Sequence, residues 1–191
     1  MDAQRSESKD LRKKILDVAS ELFYQEGLRA VGVDTIVEKA DVAKMTLYKY
    51  FKSKDELIEA YLRRSDEDWR HWFWSTVEAR ASKPKERLLA IFDVMQGWFE
   101  ASDFRGCPFI NASMEIADCQ HLGRKVSLEH SQHMLSDVLK ITRGAKVSDP
   151  ETLAQQILLL MNGAIVSAVM TGNANAAQEA KQALVILLKA N

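Results

Sequence analysis

Between Lys39 and Lys54 the chain carries five lysines (39, 44, 49, 52 and 54) against a single acid, Asp41, and interleaves them with Thr46, Tyr48 and Tyr50. These residue types suit nucleic acid. A lysine ammonium donates to phosphate oxygens or to guanine, threonine pairs with several bases or touches the thymine methyl, and tyrosine hydroxyls reach phosphates. The central run AKMTLYKYF, residues 43–51, is too short to be stable as a helix alone. Leu47 and Phe51, four residues apart, share one helical face and can anchor it, so that Lys44, Met45, Thr46 and Lys49 point outward with Tyr48 and Tyr50 at the edge. Lys54 opens the following helix, where a cation and free backbone N–H groups together favour a phosphate. The whole chain has a formal net charge of −1, so the positive charge is local; a patch of this size can follow a phosphate backbone on a slightly acidic protein. A solvated helical hairpin with ordinary surface lysines fits the same pattern.

The elements that must position these residues read as helices throughout. The three prolines (84, 108 and 150) stand where helices would start, and strand-like alternation is absent. A first helix is predicted from about Ser8, with Leu11, Ile15, Val18, Ala19, Leu22 and Phe23 recurring at three and four until Gly27 stops it. A short second helix runs from Val33 to Ala40 behind Gly32 as N-cap, with Ile36, Val37 and Ala40 facing inward. Asp41-Val42 makes a tight turn, and a third helix spans about 43–50. A long helix starts at Lys54-Asp55 and runs towards Ala81, with an expected break near Ser65. Two short helices joined by a tight turn and braced by a longer one form a helix-turn-helix, whose second helix enters the major groove. Further helices are predicted at about 85–101, 109–118, 122–143, 150–171 and 175–190, for about nine in all.

The stretch VDTIVEKADVAKMTLYKYFKSKDELI, with ILDVASELFYQEGLRAVGV before it, closely resembles the DNA-binding signature of the tetracycline-repressor (TetR) family over roughly residues 9–60. RGCPFINASME is similar to a segment seen in many members. The resemblance implies an all-α protein. An N-terminal three-helix helix-turn-helix domain, residues 1–60, joins through a long helix to a C-terminal helical ligand-binding and dimerisation domain, residues 61–191. It implies base or phosphate contacts from Lys44, Met45, Thr46 and Lys49, backbone contacts from Tyr48, Tyr50 and Lys54, and an approach to DNA by Val33 to Thr35 at the start of the second helix. Three positions depart from the family pattern. Gly32 replaces the usual hydroxyl cap, Asp41 stands where glycine is commonest, and Met45 occupies a position that is often glycine. Aspartate tolerates the left-handed conformation better than most residues, so the turn should survive.

In the larger C-terminal part the distinctive content is aromatic and soft. Trp69, Phe73, Met95, Trp98, Phe99, Phe109, Met114, Met134 and Met161 can line a cavity for an apolar or aromatic ligand, or can be plain core. The resemblance implies that this domain binds a small-molecule inducer. The 150–171 helix is apolar around most of its circumference, with Gly163, Ala164, Ser167 and Ala168 allowing close approach, and the last helix adds Leu184, Val185, Leu187 and Leu188. That is more apolar surface than one monomer needs and predicts an isologous homodimer reading a near-palindromic double-stranded operator.

What the sequence argues against is also informative. Cys107 and Cys119 fit no disulfide framework or zinc spacing, which points to a reducing, cytoplasmic setting. The polar N-terminus MDAQRSESKD carries no signal peptide. ILLLMNGAIVSAVM is broken by Asn162 and Gly163 and is shorter than the roughly 20 residues of a membrane span, so no membrane is expected as partner. His130 and His133 lie one turn apart with no third ligand evident, so neither metal nor other cofactor is expected. Cys107, after Arg105 and Gly106, raises two further readings: a redox or electrophile sensor of the same family, or an enzyme with Cys107 as nucleophile and His121 as base. The main reading is a ligand-responsive transcriptional repressor and not an enzyme.

Overall fold

With no glycine before Gly27 and no proline before Pro84, nothing in the N-terminal sequence stops a helix early, and the first one is correspondingly long. The structure, a computed structural model, describes residues 2–190, with side chains from Asp10 onward. Helix α1 covers Asp2–Glu26, six residues earlier than the apolar periodicity predicts. It is followed by α2 (Val33–Lys39), α3 (Lys44–Tyr50), α4 (Lys54–Arg80), α5 (Pro84–Phe99), α6 (Pro108–Glu115), α7 (Leu122–Gly144), α8 (Pro150–Thr171) and α9 (Ala176–Ala190). The described residues contain these nine helices and no strand. The break expected near Ser65 does not occur: α4 is one 27-residue helix, as befits a stretch without glycine or proline. Helix α8 has the clearest boundary signals. The Asp149 carboxylate accepts from the Thr152 N–H at 3.0 Å, Pro150 opens the first turn, and Gly172 at φ +66° closes the last.

The residues group into two compact units that do not follow chain order: the described part of Met1–Asp66 with Pro108–Leu128, and Glu67–Cys107 with the described part of Glu129–Asn191. Helices α4 and α7 each contribute residues to both.

In the first unit α1, α2 and α3 pack on one another. Ile15, Ala19, Leu22, Phe23, Ile36, Leu47, Phe51, Leu57 and Tyr61 form its apolar core. Arg64 ties α4 to α1, donating from one terminal nitrogen to the Asp17 carboxylate at 2.5 Å and from the other to the Ser20 hydroxyl at 2.6 Å. The excursion Pro108–Leu128 joins this unit by polar contacts. The Glu115 carboxylate accepts from the Arg29 N–H at 2.9 Å, in the connection between α1 and α2. His121 Nδ1 accepts from the Gly123 N–H at 3.0 Å, and Nε2 lies 3.1 Å from the Asp55 carboxylate in the first turn of α4. A neutral imidazole with its proton on Nε2 satisfies both. Gly123 permits this closeness, since a Cβ there would lie 2.9 Å from Ile116 Cδ1 and 3.2 Å from Ile58 Cγ2.

In the second unit α8 and α5 both pack on α9. Leu88, Ile91, Met95, Leu153, Ile157, Met161, Ala177 and Leu184 are its buried centre. Lys181 on α9 donates to both Asp93 oxygens on α5, at 2.6 and 2.7 Å, and Gln178 adds a third contact to Asp93. Burial pushes the Asp93 carboxyl up, but the hydrogen bonds from Lys181 and Gln178 and the charges of Lys181 and Arg80 outweigh it and hold the group below its ordinary value. Helix α8 corrects one expectation. Over its full 22 residues it is long and apolar enough to cross a membrane by length and composition, because Asn162 and Gly163 do not interrupt it. Leu153, Ala154, Ile157, Met161, Ala164, Ile165 and Ala168 nevertheless make one buried face along it.

Candidate nucleic-acid interface

The interface is built from the turn outward. Residues 37–42 close α2 with two backbone bonds, Val42 N–H to Val37 C=O and Asp41 N–H to Glu38 C=O, both 3.1 Å. Asp41 between them has φ +50°. This is a Schellman arrangement with aspartate at the left-handed position, so the substitution for glycine leaves the turn intact. Gly32 caps α2 without a side-chain bond, as its lack of a hydroxyl requires.

The turn delivers α3 with Leu47 and Phe51 fully inside the unit. The opposite face carries Met45, 85% exposed, with Lys44, Tyr48 and Lys49 also exposed and Thr46 and Tyr50 half-buried. Val33 and Thr35 are half-buried at the start of α2. All nine sequence-predicted contact residues thus lie within α2, α3 and the first residue of α4.

The cations are not equivalent. Lys44 is bound to Asp34 of α2 at 2.7 Å, and this hydrogen bond, with the carboxylate's charge, raises the ammonium above its ordinary value. Lys39 lies 3.4 Å from Glu26. Lys49, Lys52 and Lys54 have no ion pair among the described residues, though Lys49 sits 5.9 Å from the Tyr50 ring centroid. The N-terminus of α4 is partly occupied from within the chain: Ser53 Oγ accepts from the Glu56 N–H at 3.1 Å, and the Glu56 carboxylate reaches back to the Lys52 N–H at 2.7 Å. This is close to a capping box, and it places an acid beside Lys54 where the sequence suggests a phosphate. Two residues were not picked out by sequence reasoning. Asp34 is one. The other is Arg12, whose guanidinium stands 4.8 Å above the Phe51 ring at the end of α3; its only signal was the basic run Arg12-Lys13-Lys14.

The residues predicted to line a ligand pocket are dispersed. Trp69 stacks on Phe73, centroids 4.4 Å apart, and meets Trp98 edge-on at 5.6 Å. Met95, Phe99, Met134 and Met161 are buried in the same unit. Phe109 and Met114 belong to the first unit, where Phe109 is buried and Met114 is 83% exposed. None of the nine lines the cleft of about 590 Å³ that the second unit forms between α4, α5 and α7.

Cys107 is 8% exposed, which removes the accessible thiol that both the sensor and the enzyme reading require. His121, the suggested base, is already held by Asp55 and the Gly123 N–H. His130 is buried against Trp69, with ring centroids 5.9 Å apart. Among the described residues no cluster of three or more His, Cys, Asp or Glu could hold a metal ion.

Comparison with known proteins bears directly on this geometry. Residues 15–61 match the family described as bacterial regulatory proteins, tetR family, and residues 84–184 match the tetracyclin repressor-like C-terminal domain. The HTH-type transcriptional repressor KstR2 of Mycolicibacterium smegmatis is 32% identical over 94 residues, 49% of this chain and 44% of that protein. The chain therefore spans less than half the length of that relative. The HTH-type transcriptional regulator AcrR of Shigella flexneri is 25% identical over 173 residues, 84% of this chain and 77% of that protein. A crystal structure of a TetR-family transcriptional regulator from Streptomyces coelicolor superposes with a TM-score of 0.87 at 26% identity, covering 95% of each chain.

Proposed function

The chain belongs to the TetR family of bacterial regulatory proteins, and from that premise we propose that it is a homodimeric repressor, released from a near-palindromic operator by a small-molecule inducer. The observation that carries the reading is the division of α3, with Leu47 and Phe51 buried and Met45, Thr46, Tyr48 and Lys49 left to the outside. That outward face supplies a lysine, a hydroxyl, an aromatic hydroxyl and an apolar probe at major-groove spacing. Lys49, Lys52 and Lys54 supply phosphate contacts, and Val33, Thr35, Lys44 and Tyr50 complete the edge. Residues 1–60 read DNA and 61–191 hold ligand and dimer contacts, with Pro108–Leu128 the part of the second segment that packs within the first unit.

The dimer reading is supported by an apolar stripe on α8. Leu159, Val166, Val169 and Met170 are exposed there, as is Ile186 on α9. Covering that stripe with its own copy is an isologous solution, and a two-fold dimer offers two copies of α3 to the two half-sites of a near-palindrome. An inducer would act by favouring a conformer whose reading helices no longer match the half-site spacing. Action on DNA also sets the location as cytoplasmic.

The test is selection from random duplexes by the full chain at moderate salt. A near-palindromic site is expected, and recovery of no sequence preference refutes the reading. Leu159→Asp and Val166→Asp, on the exposed stripe, should convert the sedimenting species from dimer to monomer and weaken operator binding; a parent protein that sediments as a monomer refutes the dimer.

A further inference from the structure

We propose that Arg12 of α1 is a further DNA contact: its guanidinium, seated on the Phe51 ring, clamps one backbone phosphate beside the C-terminal end of α3. This rests on the reading of α3 as the helix that enters the major groove, and it extends the DNA surface to an element that holds none of the nine sequence-predicted contact residues.

Arginines that serve packing commit their N–H groups to the chain. Arg64, in the same unit, donates to the Asp17 carboxylate, the Ser20 hydroxyl and the Leu16 carbonyl, and Arg124 donates to the Ser113 carbonyl at 2.7 Å. Arg12 is exposed, and among the described residues its one contact is the Phe51 ring, 4.8 Å from the guanidinium carbon to the centroid. Stacking uses the faces of the planar guanidinium and leaves the N–H donors at its edge available. The platform is fixed. Phe51 is 2% exposed and caps α3, its N–H donating to the Leu47 carbonyl at 2.9 Å. The ring therefore sets where the fork stands, and little side-chain freedom remains to be lost when an anion arrives.

The chain itself does not supply that anion. Asp17 is taken by Arg64 and Lys13. Asp10 stands two positions before Arg12 on α1, and residues two apart on a helix do not face each other. The Glu56 carboxylate is turned to the Lys52 N–H. The negative end of α3 draws a cation to this place, yet no carbonyl there accepts from Arg12 among the described residues. Around the fork the exposed cations are Lys13 and Lys14 on α1 and Lys52 directly after Phe51. A phosphate offers paired oxygens that a guanidinium edge takes two at a time. Its place is also the expected one, since the helix that braces a helix-turn-helix lies along the DNA backbone while the second helix reads bases.

The test uses the full chain and the duplex that the parent selects. Parent, Arg12→Gln and Lys13→Gln are compared by fluorescence anisotropy over a salt series, and on duplexes carrying single methylphosphonates, each of which removes one phosphate charge. Lys13→Gln is the control, removing the same charge one residue away from a side chain already paired with Asp17. Arg12→Gln should lower the slope of log affinity against log salt by about 0.9 per chain, so that its deficit grows about threefold per chain for each fourfold fall in salt. The selected bases should stay the same. One methylphosphonate position in each half-site should weaken the parent and Lys13→Gln and have no effect on Arg12→Gln. A parent-like slope for Arg12→Gln, an equal loss in Lys13→Gln, or no position silenced by Arg12→Gln alone overturns the proposal. So does a variant that loses stability in urea while keeping every methylphosphonate effect, since Arg12 is then a packing residue. A parent that selects no sequence refutes the operator reading and this contact with it. A parent that selects a site which Arg12→Gln binds with equal affinity and slope leaves the operator reading standing and removes Arg12 from it.

Discussion

Substituting Asp34 by asparagine should tighten DNA binding and make it more salt-dependent. Asp34 holds Lys44, the first residue of the reading helix, at 2.7 Å, yet both side chains are at least half exposed and the pair is well screened by water. A phosphate can therefore compete for Lys44, but in the parent protein it must displace a carboxylate that also repels it. Asp34→Asn removes the competitor and keeps the shape. Each phosphate newly neutralised adds about 0.9 to the slope of log affinity against log salt, and a fourfold change in salt then alters affinity by about threefold per chain through this contact. The assay is fluorescence anisotropy on the selected duplex over a salt series, for the parent, Asp34→Asn, Lys44→Ala and the double variant. Asp34→Asn should gain most at low salt and lose its advantage as salt rises. The gain should shrink in the Lys44→Ala background, where no ammonium remains to be released. A parent-like slope for Asp34→Asn, or an equal gain with and without Lys44, would show that the Lys44–Asp34 pair does not limit DNA binding.

Leu47→Ala should destabilise the first unit by about 2–5 kcal/mol in urea denaturation, because a fully buried leucine holds a seven-residue helix, whereas Met45→Ala should leave stability unchanged and shift the bases selected at one position of each half-site. Glu115→Ala should speed amide hydrogen exchange at Arg29 by several-fold, in line with loss of one exposed charge-assisted bond of about 1 kcal/mol or less, and leave exchange at Leu47 as it was. Asp93 is held below its ordinary carboxylate value of 3.8, so the stability it adds is full above that value and is lost as pH falls through the lower value it has in the fold. Thermal melts of Asp93→Asn against the parent should therefore show the largest deficit at neutral pH and converge in strong acid; a deficit that grows on acidification would refute the assignment.

Much of this was legible in the sequence because the decisive signals are local. Gly27, Asp41, Pro84, Pro108, Pro150 and Gly172 mark boundaries through backbone conformation alone, and Leu47 with Phe51 reveal the buried face of α3 by spacing. What was hidden depends on partners far along the chain. Glu115 and Arg29 are 86 residues apart, and no periodicity links them. Asp34 reads as an ordinary surface acid until the turn brings α3 beside it. The cleft escaped for a related reason. Aromatic and methionine residues mark a ligand site by composition yet mostly pack here as core, whereas Arg70, Arg87, Asp137 and Lys140 have the pattern of solvated helix faces.

The excursion of Pro108–Leu128 limits how this protein can be cut and recombined. A reading head excised at residue 60, or even at Asp66, leaves behind the carboxylate that accepts from Arg29, the imidazole beside Asp55 and the glycine surface that fits Ile58. A chimera that grafts this head onto another regulator's C-terminal part must carry 108–128 with it, or redesign Arg29, Asp55 and Ile58 to suit the foreign segment. Interchange between relatives is thus a two-segment exchange, and a single crossover in α4 would yield a head whose surface has lost its counterpart.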